Sequence, residues 1–308
     1  MKKLNSLIIM LLAVCVFYAC RKNDNPKLPD GITEGVLPSL VQDTTGDVLI
    51  QNMSTFKTAF QVGLYFPNAE KPKKADLQVV MNNNYNNIKT FQADITTFPT
   101  NVSITGPQLA TLFGLDVNNV PTNTSFKFGL DITTQDGKVT KQFQYGIGAK
   151  GDSVAINPYG ADALTLPTTT GDQVIVVAIT YTVVCPLVMS NYASTTGQTQ
   201  YTLDDPDFWE DTYPVTLQRS ASDSTKLTLS GYVQSPTAQF VIQANVKTQK
   251  ASVAKQVYAA KLPGTSYTNP TVSGAGNFSA CDTSIILSLT NTVDQGSFGT
   301  ANITIKHN

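Results

Sequence analysis

The stretch Asp204-Asp205-Pro206-Asp207-Phe208-Trp209-Glu210-Asp211-Thr212-Tyr213 is the most unusual local composition in the chain, an alternation of acids and aromatic rings. Two kinds of chemistry need that mixture. Carboxylates close together on a loop supply oxygen ligands to a hard cation, so Asp204, Asp205 and Asp207 are calcium candidates, although their spacing departs from the twelve-residue calcium loop. An aromatic ring on a loop stacks on the apolar face of a sugar while neighbouring carboxylates accept its hydroxyl protons, so Trp209, Tyr213 and Phe208 are candidates for a glycan site. A third arrangement is plain packing, in which Phe208 and Trp209 close a core and the acids solvate a turn. Tyr159, Tyr192, Tyr201, Tyr232, Tyr258 and Tyr267 lie near turns or strands and offer further rings.

Catalytic constellations are sparse by comparison. The one histidine, His307, is the penultimate residue, so Ser-His-Asp, Cys-His and histidine-zinc sites have little to be built from. Its place predicts a solvated, frayed side chain. Glycoside hydrolysis needs only two carboxyl groups, but glutamate occurs only at Glu34, Glu70 and Glu210, and no aspartate sits in a recognisable catalytic phrase. Gly146-Ile147-Gly148 followed by Gly151 lacks the downstream helical pattern that a phosphate-cradling loop requires. These residues predict a protein without catalytic machinery or cofactor. The formal net charge of −1 argues against nucleic acid as a partner.

The cysteines point to chemistry of another kind. Met1-Lys2-Lys3 supplies a positive start and Leu7 to Phe17 an apolar run, the plan of a signal peptide, and the run falls short of the about 20 residues a transmembrane helix needs. Phe17-Tyr18-Ala19-Cys20 resembles the bacterial lipobox through the small Ala19, with Phe17 where Leu is usual. The expectation is a signal peptide over residues 1–19, cleavage before Cys20, acylation of its thiol and attachment to a membrane. Cys185 and Cys281 are the only other thiols of the mature chain; in an oxidising envelope they form one disulfide, and otherwise they are reduced, buried side chains.

The elements that must position these groups read as strands. Residues 20–40 are polar and proline-bearing, which predicts a lipidated cysteine and a flexible tether. Short β-branched or alternating runs follow at Asp47–Gln51, Ala59–Tyr65, Leu77–Met81, Phe126–Thr133 and Val139–Tyr145. Phe126, Phe128, Leu130 and Ile132 share one face, and Asp136-Gly137 predicts a hairpin from Phe126 to Tyr145. Leu109, Leu112 and Phe113 have helical spacing, with Thr105 and Gln108 as a capping box and Gly114 as a left-handed stop. The break at Cys185-Pro186 divides residues 41–183 from 184–308, where strands recur at Thr212–Arg219, Lys226–Val233, Phe240–Val246, Ser284–Asn291 and Asn302–Lys306. The expected class is all-β: a sandwich with one short helix, then a second β-sandwich or a partly closed meander barrel.

The order of phrases from Leu77 to Tyr145 resembles the N-terminal immunoglobulin-like domain of SusE and SusF, outer-membrane lipoproteins of polysaccharide-utilisation systems in the Bacteroidota. The phrases are Leu77-Gln78-Val79-Val80, then Ser103-Ile104-Thr105 leading into Gln108 to Leu115, then a strand-turn-strand. Lys22 with Asp24 is faintly similar to the charged stretch that sends such lipoproteins to the cell surface. Trp209 and Gly296-Ser297-Phe298-Gly299 loosely resemble phrases in the C-terminal modules of Bacteroidota lipoproteins at large. The resemblance implies a lipid-anchored outer-membrane protein, at the cell surface, with an immunoglobulin-like spacer at residues 41–183. Its implied partners are a polysaccharide or a neighbouring outer-membrane transporter complex; an adhesive lipoprotein that binds protein is the alternative class.

Overall fold

The computed structural model describes residues 36–68, 70–159 and 175–307. The leader, Cys20 and most of the expected tether lie outside the described residues. The tether does not extend through residue 40, because Pro38–Gln42 is already a strand whose first three residues are buried.

The first half contains strands β1 (Pro38–Gln42), β2 (Lys57–Leu64), β3 (Lys74–Met81), β4 (Lys89–Ile95) and β5 (Thr100–Thr105), then helix α1 (Gly106–Phe113). Strands β6 (Ser125–Thr133), β7 (Val139–Thr140), β8 (Gln144–Ile147), β9 (Ser153–Ile156), β10 (Ile175–Val176) and β11 (Ala178–Thr182) complete it. They form one sheet in the order β10-β1-β2-β5 and another in the order β11-β6-β3-β4, with β7 beside β6 and β8 paired with β9 alone. Period-two alternation buries Phe60 and Val62 of β2 and Phe126, Phe128, Leu130 and Ile132 of β6. Phe60 meets Phe128 edge to face at 5.6 Å. Thr105 caps α1 in a full capping box with Gln108, and Gly114 ends the helix at φ 67°.

The expected hairpin is cut short. The turn forms at Gly137, but only Val139 and Thr140 pair back onto β6. The same edge of β6 is taken by β11 over Ser125 to Gly129, so the chain leaves at Gln142, whose N–H donates to Asp131 Oδ1 at 2.8 Å. Asp47–Gln51 contributes a single bridge, Ile50 to Val183, in place of a strand.

The second half is the meander barrel of the two expected alternatives, and it closes completely. Strands β12 (Thr199–Asp205), β13 (Asp211–Arg219), β14 (Lys226–Ser230) and β15 (Gln239–Asn245) run on into β16 (Lys250–Val257), β17 (Thr271–Ser279), β18 (Ser284–Val293) and β19 (Gly296–His307). They follow one another around a closed antiparallel barrel. Pairs such as Leu203 with Ile305 and Tyr201 with His307 join the last strand to the first. His307 is thus part of the ladder and not a frayed tail; its ring stands 5.0 Å from that of Tyr201. Leu203, Leu217, Leu229, Ile242, Leu287 and Ile303 fill the interior, as side chains do in eight-stranded barrels. An apolar inside under a polar outside is the reverse of a transmembrane barrel.

Two devices let the barrel close. Gly276 of β17 is crossed so tightly by β18 that a Cβ there would lie 1.9 Å from the Ile286 carbonyl oxygen. Between β15 and β16 the ladder covers only Gln243 to Asn245; beyond it, the Gln256 side chain accepts the Val241 N–H at 2.9 Å and donates to the Val241 carbonyl at 3.0 Å. One amide side chain stands in for a missing pair of backbone groups.

The sandwich joins the barrel at one barrel end. Cys185, just past β11, is disulfide-bonded to Cys281 in the β17–β18 turn, with a Cα separation of 5.3 Å. Gln51 donates to Val246 O at 2.7 Å and accepts from Leu187 N at 2.8 Å. Gln249 donates to Cys185 O at 2.7 Å, and Lys247 to Thr45 O at 2.7 Å.

Candidate functional site at the far rim of the barrel

In a meander barrel, connections after alternate strands emerge at the same end. The β12–β13, β14–β15, β16–β17 and β18–β19 connections therefore share one rim, opposite the end that carries Cys281 and Val246. The acidic-aromatic stretch of the sequence forms the β12–β13 turn on that rim.

Alternation along β12 decides the fate of its acids. Tyr201, Leu203 and Asp205 point into the barrel, and Asp204 points out. Asp205 is fully enclosed; its Oδ1 accepts the Phe208 N–H at 3.0 Å and so shapes the turn. Asp204 Oδ1 instead accepts from Thr212 Oγ1 at 3.0 Å, and Asp207 Oδ2 from Asn302 N at 3.0 Å. The three carboxylates serve three separate partners, so the calcium reading of Asp204, Asp205 and Asp207 is not supported. Among the described residues no group of three or more His, Cys, Asp or Glu side chains is placed to hold a metal ion.

The aromatic residues also part company. Tyr213 is buried in the core, where its hydroxyl accepts the Val233 N–H at 3.1 Å, so it has no free face for a sugar and leaves the candidate set. Phe208 and Trp209 are half-buried, resting on the barrel core with their ring centroids 6.1 Å apart. Phe208 continues to Phe298 at 5.3 Å, and Phe298 to Tyr267 at 5.4 Å. Phe298 is 44% and Tyr267 37% exposed. Trp209, Phe208, Phe298 and Tyr267 thus form a continuous run of rings drawn from two connections and the start of β19. Asp294 Oδ2 pins the Tyr267 connection to the β18–β19 turn, accepting from Thr268 Oγ1 at 2.8 Å and Asn269 Nδ2 at 2.7 Å.

Below the rings lies a buried polar group of side chains. Tyr232 donates to Asn291 Oδ1 at 3.2 Å, while Asp205 Oδ2 and Asn291 Nδ2 have no hydrogen-bond partner among the described residues. Burial pushes the Asp205 carboxyl above the usual carboxylate range, with the Phe208 N–H pulling weakly the other way. Burial likewise raises the Tyr213, Tyr232 and Tyr258 phenols. Asp204 and Asp205, adjacent on one strand, face opposite sides of the barrel wall, so they do not flank a shared bond as the carboxyl pair of a glycosidase does.

Sequence reasoning located Phe208 and Trp209 but left Phe298 in a strand-leading phrase and Tyr267 among many tyrosines. The signal that finds them is strand parity: once eight strands are counted, residues 206–210, 258–270 and 294–295 must meet at one rim, with Phe298 just inside the start of β19. Tyr192, Tyr201, Tyr232 and Tyr258 are buried and excluded from the rim surface. No helix among the described residues is long and apolar enough to cross a membrane. No family model matches the chain, and neither curated proteins nor solved structures give a match to it.

Proposed function

We propose that the protein is a non-catalytic lipoprotein of the outer membrane, acylated at Cys20 and exposed at the cell surface, where its barrel binds polysaccharide for a glycan-uptake system. On this reading it is similar in role to SusE and SusF. The sandwich is the immunoglobulin-like spacer between anchor and barrel in chain order, and an outer-membrane transporter complex is the neighbour that receives the glycan. The observation that carries the proposal is the run Trp209, Phe208, Phe298 and Tyr267 on the rim away from the sandwich junction. Such a run gathers aromatic surface on which sugars can pack, its rings tilted 53° to 81° from one another, and its backing by the core fixes the rings before the ligand arrives. Asp204 and Asp207, half-buried and exposed, stand beside the rings to accept sugar hydroxyl protons.

Affinity electrophoresis of the purified protein against a panel of soluble polysaccharides tests the binding claim. Retardation by at least one glycan, lost in Trp209→Ala and weakened about tenfold in Phe298→Ala, supports it. No retardation by any glycan refutes it and favours the adhesive, protein-binding alternative. Mass spectrometry of the native protein tests the anchor: a diacylglyceryl-modified Cys20 at the mature start is expected, and an unmodified thiol there would remove the membrane from the proposal.

A further inference from the structure

The barrel wall next to the rim carries a second feature that the aromatic run does not use. Two adjoining hollows of about 630 and 670 Å³ lie on the outside of β12 to β16 and share Gln198 and Ser230. Register explains their chemistry. Gln200 stands opposite Thr216, Thr216 opposite Ser230, and Ser230 opposite Gln239, so one row of amides and hydroxyls crosses four strands. Neighbouring strands are about 4.8 Å apart, which makes that row roughly 14 Å long. A second row follows one ladder step away, with Gln218 opposite Thr228, Thr228 opposite Val241, and Gln256 clasping Val241. The β14–β15 connection overhangs the first hollow through Gln234 and Pro236.

Charge is what sets this wall apart. The lining of the second hollow contains no ionisable acid or base apart from the buried Tyr258, and that of the first contains one carboxylate, Asp211, which accepts a hydrogen bond from Gln234 Nε2. Among the described residues that line the hollows, no lysine or arginine is present to hold a carboxylate or sulfate. Large aromatic anchors of the kind that dominate protein interfaces are also missing from the exposed lining, since its two tyrosines and its phenylalanine are buried. Amides and hydroxyls in a regular row match a partner that is itself uncharged, extended and dense in hydroxyl groups. Asp211 and Thr212 place the upper end of the groove directly after the turn that bears Trp209.

We propose that this wall is a second subsite, along which a long, neutral polysaccharide continues after its first sugars have stacked on the rim. The inference rests on the glycan-binding reading above and adds to it the charge class of the ligand and the path of the chain. Short oligosaccharides then engage the rings alone, whereas a polymer engages rings and wall together and gains by effective concentration.

Isothermal titration with soluble neutral glucan, mannan and xylan, each as polymer and as short oligomer, and with polygalacturonate, tests it on the full-length protein. One neutral polymer is expected to bind about tenfold more tightly than its own oligomer. The double variant Gln200→Ala with Gln239→Ala, and separately Thr216→Arg, should remove that advantage and leave oligomer binding unchanged. These side chains point outward, and an unchanged thermal transition verifies the fold of each variant. Trp209→Ala should weaken polymer and oligomer alike. If the wall variants retain full polymer affinity while Trp209→Ala loses it, the wall subsite is wrong and the rim reading survives. Tightest binding to polygalacturonate overturns the neutral wall, and absence of binding to every sugar removes both readings together.

Discussion

The sandwich and the barrel solve the same problem, the unpaired edge of a β-sheet, in opposite ways. The sandwich keeps its edges and guards them with charge and irregularity. Its strand β4 is largely exposed, its register against β3 shifts twice, and Lys74 Nζ lies 2.8 Å from Asp94 and 3.1 Å from Asp76 at that edge. Bulges and charges of this kind discourage a further strand from pairing. The barrel instead abolishes its edges by joining β19 to β12. It therefore has no need of guarding charge in the hollows outside β12 to β16, whose lining carries Asp211 as its one charged side chain. The difference teaches that closure, more than composition, is what leaves an exposed β surface available for a ligand.

Removing the link between the halves should give the largest effect. The disulfide spans 96 residues of sequence, and closing a loop of that order stabilises a domain by about 4–5 kcal/mol in the chain-entropy description. Nearly all of that loop is barrel, so Cys185→Ser with Cys281→Ser should lower barrel stability by about 2–5 kcal/mol and leave the sandwich nearly untouched. Urea unfolding followed by Trp209 fluorescence for the barrel, beside far-ultraviolet circular dichroism for both halves, separates the two. Loss of stability in both halves to the same degree would mean that they unfold as one unit and that the comparison is one of geometry only.

How much of this was legible in the sequence follows the same division. The sandwich core was readable because its strands alternate cleanly, as Phe126, Phe128, Leu130 and Ile132 do, and because the signals for α1 are local: Thr105, Gln108 and Gly114. The pairing of β6 was not, since competition between β7 and β11 for one edge is a long-range matter. In the barrel, three strands went unread for identifiable reasons. Strand β12 ends in two aspartates, β16 has lysines at Lys250 and Lys255, and β17 reads Thr-Val-Ser-Gly-Ala-Gly-Asn-Phe-Ser, with glycines that the close crossing of β18 requires. Missing them hid the strand count, and with it the meeting of Tyr267 and Phe298 with Trp209. The excursion of Tyr213 into the core was legible in principle, because it falls in step with Val215 and Leu217 along β13.

A middle-sized effect is expected where the barrel closes by a side chain in place of backbone. Replacing Gln256 by Leu keeps bulk but leaves the half-buried N–H and C=O of Val241 without partners. Each bond contributes about 1 kcal/mol, so Gln256→Leu should destabilise the barrel by about 2 kcal/mol. Amide hydrogen exchange should show the Val241 N–H speeding up more than the neighbouring amides of β14. An unchanged exchange rate at Val241 would mean that β15 and β16 hold together without the clasp.

The smallest effect concerns a feature the two halves share: an aspartate, half-buried in the sandwich and fully enclosed in the barrel, that holds a departing segment by its backbone. Asp131 accepts the Gln142 N–H where the chain leaves the sandwich sheet, and Asp205 accepts the Phe208 N–H under the rim. Burial raises both carboxyls, but Asp131 has Lys141 nearby to favour its charged form, whereas the charges acting on Asp205 come from acids. The sign follows from proton linkage. Above about pH 4 the unfolded chain releases the Asp205 proton while the folded barrel still holds it, so stability falls as pH rises toward the folded-state value and levels off beyond it. Asp205→Asn keeps an oxygen for the Phe208 N–H and removes the ionisation, which should flatten that slope and raise barrel stability at neutral pH slightly. Asp131→Asn should change the sandwich less, because Lys141 already offsets part of the burial cost. Unfolding free energies measured from pH 4 to pH 8 read both, with the single tryptophan reporting on the barrel and far-ultraviolet circular dichroism on the sandwich. A slope that persists in Asp205→Asn would assign it to other groups.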